Sequence, residues 1–200
     1  VKVLPYGASA VLVEPEDPAA VLALSAEVRN DPDVLEVVPG ARTLLVRAAP
    51  GAIAAVGDRI RTLAARPTPP PGAGTEAIVL DVDYDGPDLA DTAALLGLAA
   101  DELVRRHAGG AYVVAFCGFA PGFAYLTGLP AELHVPRLAE PRTRVPSGAV
   151  GIAGEFTGVY PRPSPGGWRL LGRTDAVLWD LERTPPALLT PGTRVRFRAR

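Results

Sequence analysis

Cysteine, lysine and histidine are nearly missing from this chain of 200 residues, and each scarcity removes a class of chemistry. The single cysteine, Cys117, has no partner for an internal disulfide, so a disulfide scaffold is excluded and a reducing, cytoplasmic setting is expected. Two histidines and one cysteine are too few ligands for a structural His/Cys zinc site, and no metal is expected. The only lysine is Lys2, so a phosphate loop of the Gly-x-x-x-x-Gly-Lys-Ser/Thr type is absent. No apolar run reaches the ~18–20 residues that span a bilayer, and no basic segment followed by an apolar one opens the chain. A membrane partner is therefore not expected. What remains, 48% apolar and 21% charged, is the composition of a globular protein rather than a disordered one.

Charge is spread unevenly. Eight acids and no base lie between Glu76 and Glu102, whereas thirteen arginines face six acids from Leu103 to Arg200, 13 − 6 = +7. Arginine suits bidentate carboxylate and phosphate contacts, so a small anionic substrate or an acidic partner group is one reading and a solvated surface the other. The stretch Asp88–His107 mimics a helix-turn-helix, but its first two-thirds are acidic. Phosphate contact dominates DNA affinity, so repulsion argues against nucleic acid.

Residues 66–74, with four prolines and two glycines, can join neither helix nor ladder and read as a linker. The predicted organisation is a first domain over 1–66, a linker over 67–75 and a second domain over 76–200. In the first, strands are expected at Val1–Leu4 and Ala10–Glu14 around a turn at Gly7. A helix follows, capped by Asp17-Pro18, then a hairpin of Val34–Val38 and Thr43–Arg47 around Pro39-Gly40, then a second helix after Pro50. That order predicts an α+β sandwich with helices on one face of an antiparallel sheet. The second domain opens with a strand at Ala77–Tyr84. Helices are expected at Leu89–Leu96, capped by Asp88, and at Ala100–His107. Short strands are expected at Tyr112–Phe116, Ala149–Ala153, Gly158–Tyr160, Trp168–Leu171, Val177–Leu181 and Arg194–Arg198. Many short strands with Gly/Pro turns indicate a β-barrel or sandwich, so the fold class is α+β.

No nucleophilic triad stands out. Cys117 ends an apolar run, where a thiol is usually an inert small hydrophobe, although His107 precedes its strand. Ser147 lacks a Gly-x-Ser-x-Gly elbow. The informative region is Gly118–Thr174, where glycines let backbone approach a ligand and prolines fix loops in advance. Phe119, Phe123, Tyr125, Tyr160 and Trp168 would wall a cleft holding Arg137, Arg142 and Arg173, or would form the core of a tightly turned barrel.

The run Gly118-Phe-Ala-Pro-Gly-Phe-Ala-Tyr-Leu-Thr-Gly-Leu129 carries a resemblance. So do Pro136-Arg137, Pro141-Arg142, Gly158-Val-Tyr-Pro161, Ser164-Pro-Gly-Gly-Trp168 and Gly172-Arg-Thr174. Together they resemble the KipI family, whose members are also called the 5-oxoprolinase B subunit or allophanate hydrolase subunit 1. The likeness extends over most of residues 77–198 and takes in His107 and Tyr112. Ala8, where the family has Asp, and Ala149, where it has Ser, depart from it. The resemblance implies a cyclophilin-like β-barrel behind the small α+β domain, and a KipA-like protein, the C subunit, as partner. An A-like subunit and a hetero-oligomeric, ATP-dependent 5-oxoprolinase, a hydrolase complex, follow from the same likeness. ATP would be shared with the complex, and the chain alone would be inactive. Inhibition of a sensor histidine kinase and a role in a urea carboxylase/allophanate hydrolase-type system are the alternatives. On this reading His107, Arg142 and Arg173 are the catalytic candidates. Phe119, Pro121, Gly122, Phe123, Tyr125, Arg137, Pro146, Gly148, Tyr160, Pro165, Gly166, Gly167 and Trp168 are the substrate-binding ones.

Overall fold

The computed structural model describes residues 1–17, 19–66 and 76–200. The chain forms two compact units, Val1–Ala73 and Gly74–Arg200. The predicted linker over 67–75 and the proline of the Asp17-Pro18 cap lie outside the described residues.

In the first unit, β1 (Lys2–Tyr6), β2 (Ala10–Glu14), β3 (Val34–Pro39) and β4 (Leu44–Ala48) form an antiparallel sheet in the order β1-β2-β4-β3. Alternation fixes which face is covered. Val11, Val13, Val37, Leu44 and Val46 bury themselves against α1 (Ala20–Val28) and α2 (Ile53–Ala64), which contribute Val21, Leu24, Val28, Val56 and Ile60. The hairpin is tied by the Gly40 N–H donating to the Thr43 carbonyl at 2.8 Å. Asp17 does not cap α1 from the N-cap position, which is Ala19. Its carboxylate instead takes the Ala19 N–H at 2.9 Å, just outside the helix.

The second unit is built on seven strands in the order β12-β9-β10-β7-β6-β13-β5. These are β5 (Ile78–Val82), β6 (Tyr112–Cys117), β7 (Ala124–Thr127), β9 (Ala149–Ala153), β10 (Phe156–Val159), β12 (Arg169–Arg173) and β13 (Arg194–Ala199). A separate ribbon pairs β8 (Arg142–Val145) with β11 (Ser164–Gly166). The two outermost strands meet. Just past β5, Asp83 exchanges a pair of 2.9 Å backbone bonds with Arg173, and the Gly86 and Asp88 N–H groups donate to Leu171 and Leu170 at 3.1 Å. The sheet is thereby a nearly closed barrel. This approach needs glycine on both sides of the seam. A Cβ on Gly86 would lie 2.3 Å from the Leu170 carbonyl oxygen, and one on Gly172 would lie 2.3 Å from that of Asp83.

Inside the ring pack Leu80, Val82, Val114, Leu126, Ile152, Leu171 and Phe197, with Ala93 and Leu103 joining from α3 (Leu89–Leu95) and α4 (Ala100–Ala108). A second cluster gathers Phe123, Val145, Tyr160, Trp168 and Leu170. Three expectations need correction. Strands β7, β8 and β11 form in stretches for which the sequence predicts no strand. The expected strand Val177–Leu181 has one isolated bridge, Trp179 to Ala187, and leaves Leu181 81% exposed. Asp88 sits at the start of α3 without capping it, because its carboxylate is committed elsewhere.

Candidate functional site

The three residues expected to act together are separated by their partners. His107 is fully buried, stacked on Phe197 with ring centroids 4.8 Å apart. Its Nδ1 is 2.7 Å from the Tyr84 hydroxyl and its Nε2 is 2.9 Å from Thr157 Oγ1. Thr157 donates its one proton to the Gly151 carbonyl at 3.1 Å, so it accepts from His107. The imidazole is therefore the neutral Nε2–H tautomer, with Nδ1 accepting from Tyr84. Burial pushes its pKa down to about 3. His107 is a satisfied core residue rather than an acid or base in a cleft, and it makes no pair with Cys117. That thiol points to the Leu189 carbonyl and is itself raised by burial.

A pH dependence follows. The folded value lies below the unfolded one of about 6.5, so the stabilisation is complete above pH 6.5 and is lost as pH falls from there toward 3. Urea unfolding should show this one group contributing a loss of up to about 1.4 kcal/mol per pH unit below 6.5. The loss should be absent in His107→Gln, and a His107 ring that titrates near 6.5 by NMR would contradict the burial.

Arg142 and Arg173 are held by carboxylates of the chain itself. Arg142 Nη2 donates to Asp88 Oδ1 at 2.6 Å, while Asp88 Oδ2 accepts the Leu170 N–H at 2.7 Å. Arg173, exposed at the barrel seam, donates from Nε to Asp85 at 3.0 Å. Among the expected binding residues, Phe123, Tyr160 and Trp168 are buried, and Gly122, Gly148 and Gly167 are buried backbone positions. The aromatics thus form the core rather than the wall of a cleft. Phe123 is their hub, 5.2 Å from Tyr160 and 5.4 Å from Trp168 in edge contacts. Tyr125 and Gly166 are half-buried, and Phe119, Pro121, Arg137, Pro146 and Pro165 are exposed. Phe119 is strained at φ 67° and is 57% exposed.

The structure does bring one set of these residues together. The Tyr160 phenol is raised chiefly by burial, against the opposing pull of the Trp168 backbone N–H and the positive charges of Arg137 and Arg142. From Arg137 a groove of about 630 Å³ runs past His134, Pro136, Glu155 and Phe156. Its base is the Val135–Gly154 bridge, closed by the Gly154 N–H to the Val135 carbonyl at 2.7 Å. His134 Nε2 is 3.1 Å from the Leu129 carbonyl, which accepts its proton and leaves Nδ1 as the free ring atom. Arg137 has no ion-pair partner among the described residues. A guanidinium, an imidazole and a carboxylate beside an aromatic edge can hold an anionic group and exchange a proton with it. Sequence reasoning missed His134, whose one signal was that it is one of two imidazoles in the chain. Among the described residues no cluster of three His, Cys, Asp or Glu could hold a metal ion, and no helix is long and apolar enough to cross a membrane.

A small α+β unit followed by a nearly closed barrel is the architecture of carboxyltransferase-like domains. The urea amidolyase of K. lactis shares it over 99% of this chain and 15% of its own, at TM-score 0.69 and 18% identity, a likeness of fold alone. The chain belongs to the family of the carboxyltransferase domain, subdomain C and D, whose model matches residues 1–189, and within it to the group of 5-oxoprolinase B subunits. The 5-oxoprolinase B subunit of Escherichia coli O157:H7 is 40% identical over 96% of this chain and 92% of its own length. The solved structure of TTHA0988 is 35% identical, with TM-score 0.79 over 96% of this chain; the chain spans 40% of that longer protein.

Proposed function

We propose that this chain is the B subunit of an ATP-dependent 5-oxoprolinase, acting in the cytoplasm with C-like and A-like subunits to open 5-oxoproline to glutamate. The observation that carries the reading is the identity of 40% to a 5-oxoprolinase B subunit along almost the full length of both chains. The two compact units would fold separately on either side of the proline-rich segment. In such a reaction the lactam oxygen takes the γ-phosphoryl group of ATP. One water would then add to the activated carbon and the C–N bond break to leave a free amine and an acyl phosphate. A second water would release phosphate from it, so that two waters are consumed and glutamate, ADP and phosphate are the products. Each stage carries an anionic oxygen beside a carboxylate. The groove at Arg137 and His134 fits that demand, with Arg137 holding the anion and His134 able to move a proton.

The test is reconstitution with the C-like and A-like partners and measurement of 5-oxoproline-dependent ATP hydrolysis. The complete complex should turn over and the isolated chain should not. Arg137→Ala should still co-purify with the C-like partner yet lose roughly ten- to hundredfold in turnover, the cost of one charge-assisted bond. A reconstituted complex without such hydrolysis overturns the assignment. Full turnover by Arg137→Ala removes the groove from the chemistry.

A further inference from the structure

The arginine excess of the C-terminal half is not absorbed by the groove at Arg137. Its densest part is β13, which reads Arg194-Val-Arg-Phe-Arg-Ala199, followed by Arg200. Alternation sends Val195 and Phe197 into the barrel and leaves Arg196 and Arg198 exposed. Beside this strand a second groove, about 590 Å³, runs between β13 and the C-terminal end of α4. Three arginines line it, Arg105 on the helix side and Arg196 and Arg198 on the strand side, and none of its lining residues is acidic. Val79 and Ala111 supply apolar surface, and Gly109 and Gly110 leave part of the wall without side chains.

Among the described residues, carboxylates partner two of these three cations and leave the third without one. Glu102 is shared between Arg105 and Arg106, at 2.6 Å and 2.5 Å. Asp81 is taken by Arg198, through contacts of 2.5 Å and 2.8 Å. Arg196, whose strand neighbour across the ladder is Val79, has no ion-pair partner among the described residues. Residues two apart on a strand point to the same face with their Cα atoms about 7 Å apart, so Arg196 and Arg198 share one face, and Arg105 lines the groove from the helix. A solvated surface would disperse such like charges. Here they converge on a concavity of the size that takes a small ligand.

We propose that the groove between β13 and the end of α4 binds a compact polyanion bearing phosphate or carboxylate groups, with Arg196 as its open anchor and Arg105 and Arg198 as flanking donors. Guanidinium forks match both kinds of oxyanion, so the ligand's chemistry is decided by probes. The site shares no lining residue with the groove at Arg137, and its existence does not depend on the 5-oxoprolinase reading.

The test is calorimetric titration of the full chain with inorganic pyrophosphate and, separately, with citrate, at a fixed ionic strength. Saturable one-site binding of either is expected, and the tighter probe names the oxyanion. Arg196→Glu should weaken that binding at least tenfold, and Arg196→Ala by a smaller factor, with thermal unfolding of both variants unchanged. Arg137→Ala should bind the probe as the parent does. Binding of neither probe, binding that survives Arg196→Glu, or loss confined to Arg137→Ala would each overturn the assignment. If Arg196→Glu fails to fold, Arg196→Ala alone decides, because removing an exposed guanidinium leaves the inward-facing Val195 and Phe197 in place.

Discussion

Gly172→Ala is expected to unfold the barrel unit well below the temperature at which the parent unfolds. The added methyl would meet the Asp83 carbonyl oxygen at 2.3 Å and the Tyr84 Cα at 3.0 Å, both backbone atoms that cannot swing aside. Relief requires the seam to part, which breaks the paired Asp83–Arg173 bonds and loosens those from Gly86 and Asp88. At roughly 1 kcal/mol per backbone bond, plus overpacking strain, the loss should be at least about 3 kcal/mol. Gly97→Ala is the control. It sits at positive φ, 67°, but has nothing within 4 Å of the new methyl, so it should cost only the ~1–2 kcal/mol of a left-handed residue. Urea unfolding compares the two, and amide exchange at Asp83 and Arg173 reports the seam. Equal losses for both variants, with those amides still protected, would mean that the strands do not meet as closely as described.

Asp88→Ala should be nearly as damaging by a different route. Its carboxylate is 9% exposed and serves two donors, the Arg142 guanidinium and the Leu170 N–H. Arg142 Nη1 is already buried without a partner, so removing Asp88 strands a partly desolvated charge. Breaking a fully buried pair costs about 3–5 kcal/mol; with Arg142 still 29% exposed, about 2–4 kcal/mol is expected. Removing both charges, as Asp88→Ala with Arg142→Met, should recover a good part of that loss. A four-protein cycle of urea unfolding measures the coupling, and additive losses would refute the brace. The same pair explains why Arg142, expected from its Pro-Arg context to meet a ligand, faces a carboxylate of its own chain instead.

Local pattern carried the helices and the long strands, because 3.6- and 2-residue periods are set by burial on one face. It failed where three or four residues make a strand between prolines and glycines. Strand β11, Ser164-Pro-Gly166, has no period to read, and its pairing with β8 comes from residues about 20 positions away. Val177–Leu181 misled in the opposite sense, since its alternation buries Leu178 while no ladder continues beyond one bridge. His107 was legible. It stands four residues after Leu103 in α4, on the same face, and Leu103 is fully buried. The groove was not legible, because it joins 134–137 to 153–156 through a bridge that no spacing announces.

The place of β13 in the ring has a consequence for how the protein is made. Strand β5 lies beside β13, and Arg194 stands 112 positions after Val82 in the sequence. At synthesis rates of about 5–20 residues per second, β5 waits roughly 6–22 s for its ladder partner. During that interval Leu80 and Val82, both interior in the finished barrel, have no strand to shelter them, whereas the first unit contains all its strands and can be complete already. A nascent chain halted before Arg194 is thus the form most exposed to chaperones and to aggregation, with one half finished and the other an open ribbon.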